Sequence, residues 1–412
     1  MKLELTAYQK RLFAFLSVAN FFEGYDFFAI SQLLPSIRQT FGLDPVEGTW
    51  LITLINAGTI LAYLLVRRAD KWGRKRVLAV TIAGYALFTF LSAWAPNAIV
   101  FGVLQMVARI FLIGEWATSM VVAAEEYPAE RRGMVIGVVS AFGGFGSIVC
   151  AGVVPLLLKT PLGWRTVYLV GVVPLLLMMF ARRGLKETQR FSQSAPAEQA
   201  APLLDILKGP HRRRVLELGA IWFLSYVCTN NAVTFWKEFA LSERQLTHSQ
   251  VSQVITVAAL VSMPLVFLAG KMLDAIGRKR GAAVIYAAAV LGILGGYTLR
   301  GVGPLMLCMT VGIFGINAVL TVLNAFMTEL FPTAVRGNAV AWSNNLIGRI
   351  GYVLSPLAIG ALQHQYGWGL PLRASTAFLV VALLLIFWWL PETNALELEE
   401  SSRAAVSPGV SG

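Results

Sequence analysis

Twelve long apolar runs, parted by short polar stretches, make up most of this chain. They cover about 11–36, 47–67, 77–95, 98–125, 133–158, 164–182, 215–240, 250–272, 281–300, 304–331, 337–363 and 372–390. An α-helix needs roughly 20 residues to cross the hydrocarbon of a bilayer, and each run is near that length. Helices satisfy their own backbone hydrogen bonds in lipid, and the runs are too long for the strands of a barrel. The pattern therefore predicts an all-α membrane protein of twelve transmembrane helices. The first run is not followed by a small-residue cleavage site, so it reads as the first span and not as a removable signal.

The polar stretches repeat. VRRADKWGRKR (Val66 to Arg76) returns as GKMLDAIGRKR (Gly270 to Arg280), which places Asp70 over Asp274 at an offset of 204 residues. EEYPAERRG, with Glu125, Pro128, Arg132 and Gly133, returns as TELFPTAVRG, with Glu329, Pro332, Arg336 and Gly337, at the same offset of 204. Two motifs repeating at one spacing imply two homologous halves, and a duplicated membrane bundle is the plan of a transporter. The expected organisation is a six-helix bundle over 1–183, a polar linker over 184–213, a second six-helix bundle over 214–391 and a tail over 392–412. The linker carries Pro196, Pro202 and Pro210 amid charges, and the tail opens on PETNALELEESS. The KET of the linker (Lys186 to Thr188) resembles the PET of the tail (Pro391 to Thr393), again near the repeat spacing.

Composition narrows the class. The chain is 57% hydrophobic and 14% charged, with a mean hydropathy of +0.66. A soluble domain carries about 25% charged residues, so this chain cannot coat a water-soluble particle. The net charge of +12 would suit nucleic acid, but its placement argues otherwise. With an even number of spans both termini share one side, and that side holds about 25 of the 34 lysines and arginines. The bias places both termini in the cytoplasm of an inner-membrane protein. Cys150, Cys228 and Cys308 all fall in apolar runs and read as small packing residues, not as a disulfide or metal set. No metal-ligand spacing, phosphate-cradling loop or hydrolase elbow appears, so neither an enzyme nor a cofactor is expected.

Charged groups within apolar runs are functional candidates by default, because hydrocarbon makes them costly. Glu23 and Asp26 lie mid-span, three residues apart and on nearly one helix face. Two carboxylates so close in a low dielectric cannot both ionise cheaply, so one is expected to hold a proton. Arg109 and Glu115 lie in the fourth run. Arg349 sits about halfway along the eleventh, and its planar fork suits a carboxylate. The competing reading is that Arg349 neutralises Glu217 or a helix end. Tyr25, Gln32, Asn56, Gln105, Trp116, Tyr226, Asn230, Asn317, Asn345 and Tyr352 are candidates to line a binding cavity, with Trp222, Asn231, Asn324, Trp342 and Asn344 as further members. Asn345 and Tyr352 step by four and three around Arg349, which places them on its face of an α-helix.

Six plus six spans, a G-x-x-x-D-x-x-G-R-[KR]-[KR] loop after the second and eighth, and a long middle loop together resemble the major facilitator superfamily. The second loop copy is complete; the first has Val66 for the glycine and Lys71 for the usual arginine. EGYDF (Glu23 to Phe27) and GEWATSMVVAAEEYP (Gly114 to Pro128) resemble segments of metabolite:proton symporters. GYD and GRIGYVLSP (Gly348 to Pro356) resemble the aromatic-acid:proton and sialate-type branches. The resemblance implies that Asp26, Glu23, Arg109 and Glu115 serve proton coupling, with Arg109 pairing with the span-one acid when that acid is ionised. A fixed packing salt bridge is the alternative for that pair. It implies also that Asp70, Arg74, Asp274 and Arg278 serve a cytoplasmic gate, with Glu125 and Arg132, and Glu329 and Arg336, closing charge networks around it.

The expected function is proton-coupled uptake of a small organic anion by alternating access, in a monomer whose partners are substrate, protons and the lipid bilayer, with no nucleic acid. A neutral-sugar symporter and an exporter are the rival readings, and a sensor that kept the fold is a third. Arg349 argues for an anion. Span five (SAFGGFGSIVCAG) lacks the glycine–proline signature of drug antiporters, which favours import. Buried charges argue against a sensor.

Overall fold

The computed structural model describes residues 6–66, 72–127, 129–181 and 205–393. Apolar runs of this length leave the backbone no partner but itself, and the chain accordingly folds as helix after helix. Two compact units result, Met1–Ala200 and Ala201–Gly412. The first holds α1 (Ala7–Phe41), α2 (Pro45–Val66), α3 (Arg74–Ala93), α4 (Ala98–Glu126), α5 (Ala129–Leu157) and α6 (Trp164–Ala181). The second holds a short α7 (Asp205–Lys208), α8 (Arg212–Thr234), α9 (Trp236–Ser242), α10 (His248–Ile276), α11 (Arg278–Thr298) and α12 (Val302–Glu329). It continues through α13 (Thr333–Val340), a π-helical segment π1 (Ala341–Gly348), α14 (Arg349–Tyr366), α15 (Gly369–Ala374) and α16 (Thr376–Trp389). Each of the twelve apolar runs falls on one helix or on consecutive helical pieces. Eight helices among the described residues are long and apolar enough to cross a membrane.

The 204-residue offset is visible in the helix starts. Arg74, Ala98 and Ala129 open α3, α4 and α5, and Arg278, Val302 and Thr333, each 204 residues on, open α11, α12 and α13. Packing repeats with it. In the first unit α1 lies against α5, α3 and α2 against α4, and α6 against α3. In the second α8 lies against π1 and α14, α11 and α10 against α12, and α16 against α11. The motif glycines Gly73 and Gly277 precede α3 and α11 at φ of 89° and 92°. A side chain there would be strained, so glycine lets the loop turn directly into an arginine-led helix.

Helix entries are closed locally. Thr6 and Gln9 form a capping box at α1, and Thr247 and Gln250 form another at α10. In the first unit an apolar cluster joins Leu12, Phe15 and Leu16 of α1 to Leu78 and Ile82 of α3, Val122 of α4 and Val139 of α5. Further along, α1 and α5 meet backbone to backbone: a Cβ on Gly24 would stand 1.8 Å from the Gly143 carbonyl oxygen. Ser147 Oγ uses that closeness and donates to the Gly24 carbonyl at 2.9 Å. Small residues at such crossings let membrane helices approach without a hydrophobic driving force.

Gly24→Val is therefore expected to force the two helices apart and cost about 1–3 kcal/mol or more. Gly144→Ala, with open space around its Cβ position, should leave the melt unchanged or slightly raised. Thermal unfolding of detergent-purified protein, followed by size exclusion, checks both; equal melts would remove the crossing from the account.

Candidate functional site

In the first unit the chemistry gathers on α1. Asp26 is buried at 9% exposure, and the Tyr85 hydroxyl of α3 is among the groups near enough to act on it. On α6, Gly171 comes so near that a Cβ there would lie 3.5 Å from Asp26 Oδ1. Arg109 of α4 is buried too, with its guanidinium carbon 4.6 Å from the centroid of the Phe27 ring. Its charge reaches Asp26, yet among the described residues no ion pair joins the two, and Arg109 Nη1 has no hydrogen-bond partner. The expected pair is thus open here. The face of Phe27 takes the guanidinium. Glu23, on the same helix, is half-buried and is not among the groups acting on Asp26, which are Tyr85, Arg109 and Thr89. Glu115 is buried and accepts from Ser119 Oγ at 2.6 Å.

The remaining candidates of this unit divide. Tyr25, Gln32, Asn56 and Gln105 are buried, and Tyr25 Oη, Asn56 Nδ2 and Gln105 Nε2 lack hydrogen-bond partners. Gln105 stands one turn from Arg109 on α4, so the two share a face. Trp116, by contrast, is 42% exposed.

In the second unit Arg349 opens α14 just after the π segment. Its guanidinium carbon lies 5.4 Å from the Tyr226 ring of α8 and 5.1 Å from the Tyr352 ring, one turn along α14. The two rings meet edge to face at 5.5 Å. Arg349 Nε is buried without a hydrogen-bond partner, and no acid pairs with Arg349 among the described residues. Glu217 is not available to it: Arg213 holds that carboxylate at 2.7 Å and Arg214 at 2.8 Å. Tyr226 donates to Asn344 Oδ1 at 3.0 Å, and Asn230 Nδ2 donates to the Tyr352 carbonyl at 3.3 Å.

Asn344, not Asn345, joins this group. The π segment adds a residue per turn, so α-helical stepping back from Arg349 fails across it. The Arg349 N–H indeed reaches back five residues to the Asn344 carbonyl. Asn317 is exposed and bonds only within α12, to the Ile313 carbonyl at 2.8 Å. Tyr85 was missed in the sequence as well; the signal was a hydroxyl four residues before Thr89 in the middle of an apolar run.

At the ends of the second unit's helices the repeated loop forms a charge network. Arg278 bonds Asp274 at 2.6 Å and Glu329 at 2.7 Å. Glu392 of the PET segment accepts from the Arg278 and Lys279 backbone N–H groups at 2.8 and 2.9 Å. A carboxylate there faces the positive end of α11. Thr393 donates to Glu329. Arg336 does not pair with Glu329 but donates to the Phe331 carbonyl at 3.1 Å. In the first copy Arg74 opens α3, while Asp70 and the side chains of Glu125 and Arg132 lie outside the described residues.

The sequence profile described as Major Facilitator Superfamily matches residues 16–356, with a second match over 223–411. The chain belongs to the Major Facilitator Superfamily. Among curated relatives, the "Probable 4-methylmuconolactone transporter" of Cupriavidus pinatubonensis is 25% identical, over 93% of this chain and 90% of its own. The cis,cis-muconate transport protein of Acinetobacter baylyi is 28% identical, over 87% and 88%. Among solved structures, the inward-open xylose transporter XylE of Escherichia coli superposes with a TM-score of 0.79 at 18% identity, over 95% of this chain and 98% of its own. The superfamily member described here is a multi-pass membrane transporter, not an enzyme.

Within its charge network, Arg278 and Glu329 side chains are each 14% exposed, whereas Asp274 is 73% exposed. Glu329→Gln should therefore cost about 1–3 kcal/mol, and Asp274→Asn under about 1 kcal/mol. Paired thermal melts at one salt concentration check the ranking, and a larger loss for Asp274→Asn would reverse it.

Proposed function

We propose that this transporter takes up a small organic acid together with protons, by alternating access, as a monomer of the inner membrane with both termini in the cytoplasm. The observation that carries the reading is Arg349: a guanidinium deep in a membrane helix, flanked by two tyrosine rings and given no acid. A permanent charge in such a place calls for an anion, and a bidentate carboxylate fits its fork. The relatives' names support this, since muconate is a carboxylate. The positive-inside bias of lysine and arginine supports the orientation.

Asp26 is the proposed proton site. It is buried, and it lies within the influence of Tyr85 and Arg109. Loss of the Asp26 charge on protonation frees Arg109, and ionisation draws Arg109 back, so the pair can report protonation by moving one side chain. Glu115, closed on Ser119, is the secondary candidate, and Glu23 the third. Asp274, Arg278, Glu329 and Glu392 are proposed to hold the cytoplasmic end in one of its states.

Two measurements test the reading. Asp26→Asn fixes the uncharged state, so uphill uptake driven by a pH gradient into proteoliposomes should vanish while substrate counterflow persists. Concentrative uptake by this variant would exclude Asp26 as the coupling site. For Arg349, charge-assisted hydrogen bonds contribute roughly 1.5–3 kcal/mol, or about 10- to 100-fold in affinity. Arg349→Ala should bind a transported carboxylate weaker by that factor while remaining monodisperse, and Arg349→Lys should fall between. Wild-type affinity in Arg349→Ala, or transport of uncharged sugars only, would replace the organic acid with a neutral solute.

A further inference from the structure

A cavity of about 310 Å³, lined by neither Asp26 nor Arg349, lies where α8 begins and α16 ends. Arg212, Arg213, Leu216, Glu217 and Trp389 line it. Its charge is lopsided. Arg213 and Arg214 both bond Glu217, so that carboxylate is already shared before Arg212 is counted. Arg214 is buried and donates also to the Trp389 carbonyl, which ties the start of α8 to the end of α16. Arg212 is exposed and has no ion-pair partner among the described residues. Arg213 keeps a side chain 67% exposed although its Nε reaches Glu217. The other wall is apolar and open: Leu216 is 45% exposed, and beside Trp389 stands Trp388 at 79%.

Cations at a helix end, an apolar wall one turn deeper and exposed indoles are the features of a membrane protein at headgroup depth. A water-soluble phosphate would use the arginines but has nothing to place on Leu216 and Trp389. A neutral lipid would use the wall but leave the surplus charge unmet. We propose that the cleft binds one anionic phospholipid, its phosphate at Arg212 and Arg213 and an acyl chain along Leu216 and Trp389. The site is independent of the transport chemistry, since neither Asp26 nor Arg349 takes part.

The test is retention of lipid by the full chain, purified from mixed phosphatidylglycerol and phosphatidylethanolamine and weighed by native mass spectrometry. Each arginine near an anionic headgroup is worth roughly fivefold in affinity, so Arg212→Gln with Arg213→Gln should retain phosphatidylglycerol roughly thirtyfold more weakly. Arg280→Gln, an exposed arginine outside the cleft, should retain it as wild type does. Should the double variant fail to purify, Arg212→Gln alone, which breaks no ion pair, should weaken retention roughly fivefold. Millimolar glycerol 3-phosphate should not displace the lipid. Equal retention of phosphatidylethanolamine, unchanged retention in the Arg212→Gln variants, an equal loss in Arg280→Gln, or displacement by glycerol 3-phosphate would each overturn the proposal.

Discussion

Hydrocarbon supplies no hydrogen bonds, and that constraint sorts the polar residues of this transporter into two kinds. One kind satisfies itself. Asn20, Thr118, Thr229 and Thr310 each donate to a carbonyl one turn back in their own helix, at 3.1, 2.7, 2.9 and 2.8 Å. Such residues cost little and mark nothing. The other kind is left incomplete, and it includes the donors Asn56 Nδ2, Gln105 Nε2 and Arg109 Nη1 in the first unit and Arg349 Nε in the second. A buried donor without an acceptor is expensive, so these atoms are where a fold built for stability alone would have chosen otherwise.

The duplication shows how that expense was divided. At the repeat offset Asp26 stands over Asn230, Arg109 over Ile313 and Phe145 over Arg349. Tyr226 stands over Phe22. The helix pairings are common to both units, but the ionisable groups are not. The first unit carries Asp26 with Arg109 near it; the second carries Arg349 in its aromatic bracket. Shared packing and unshared charge are what a scaffold duplicated first and specialised later would leave. The loops tell the opposite story, since their glycines keep the same positive φ in both copies.

Much of this was legible in the residues. The apolar runs located the helices to within a few residues, because backbone satisfaction in lipid allows little else. Asp26, Arg109 and Arg349 stood out because charge in an apolar run is rare. What stayed hidden depended on three-dimensional detail. Asn344 displaced Asn345 because a π segment changes the residues per turn, and nothing in AWSNNLIG announces one. Tyr85 was passed over because a lone tyrosine in a span also suits packing. Trp116 and Asn317 are both exposed, and a residue type does not say which way a helix is turned. Glu329 pairs with Arg278, brought close by the packing of α11 on α12, and not with Arg336, seven residues along the chain.

The surroundings of Arg349 show why an aromatic bracket suits a carrier better than an internal salt bridge. A structural carboxylate would neutralise the guanidinium and occupy its fork, and an incoming anion would have to displace it. Ring faces stabilise the cation by about 0.5–2 kcal/mol, enough to hold it in place but less than a good ion pair. They also lie against the planar group without using its N–H edges, so the hydrogen-bonding rim is left for a ligand. Tyr226 is itself held by Asn344, and Tyr352 by the fold of α14, so the bracket is set before any ligand arrives. The π segment that brings Asn344 into reach gives up regular α-helical hydrogen bonding over eight residues, Ala341–Gly348. Irregular helix immediately before a cation without an ion pair is tolerable where it shapes a site, and under the proposed function that site is the one that takes the anion.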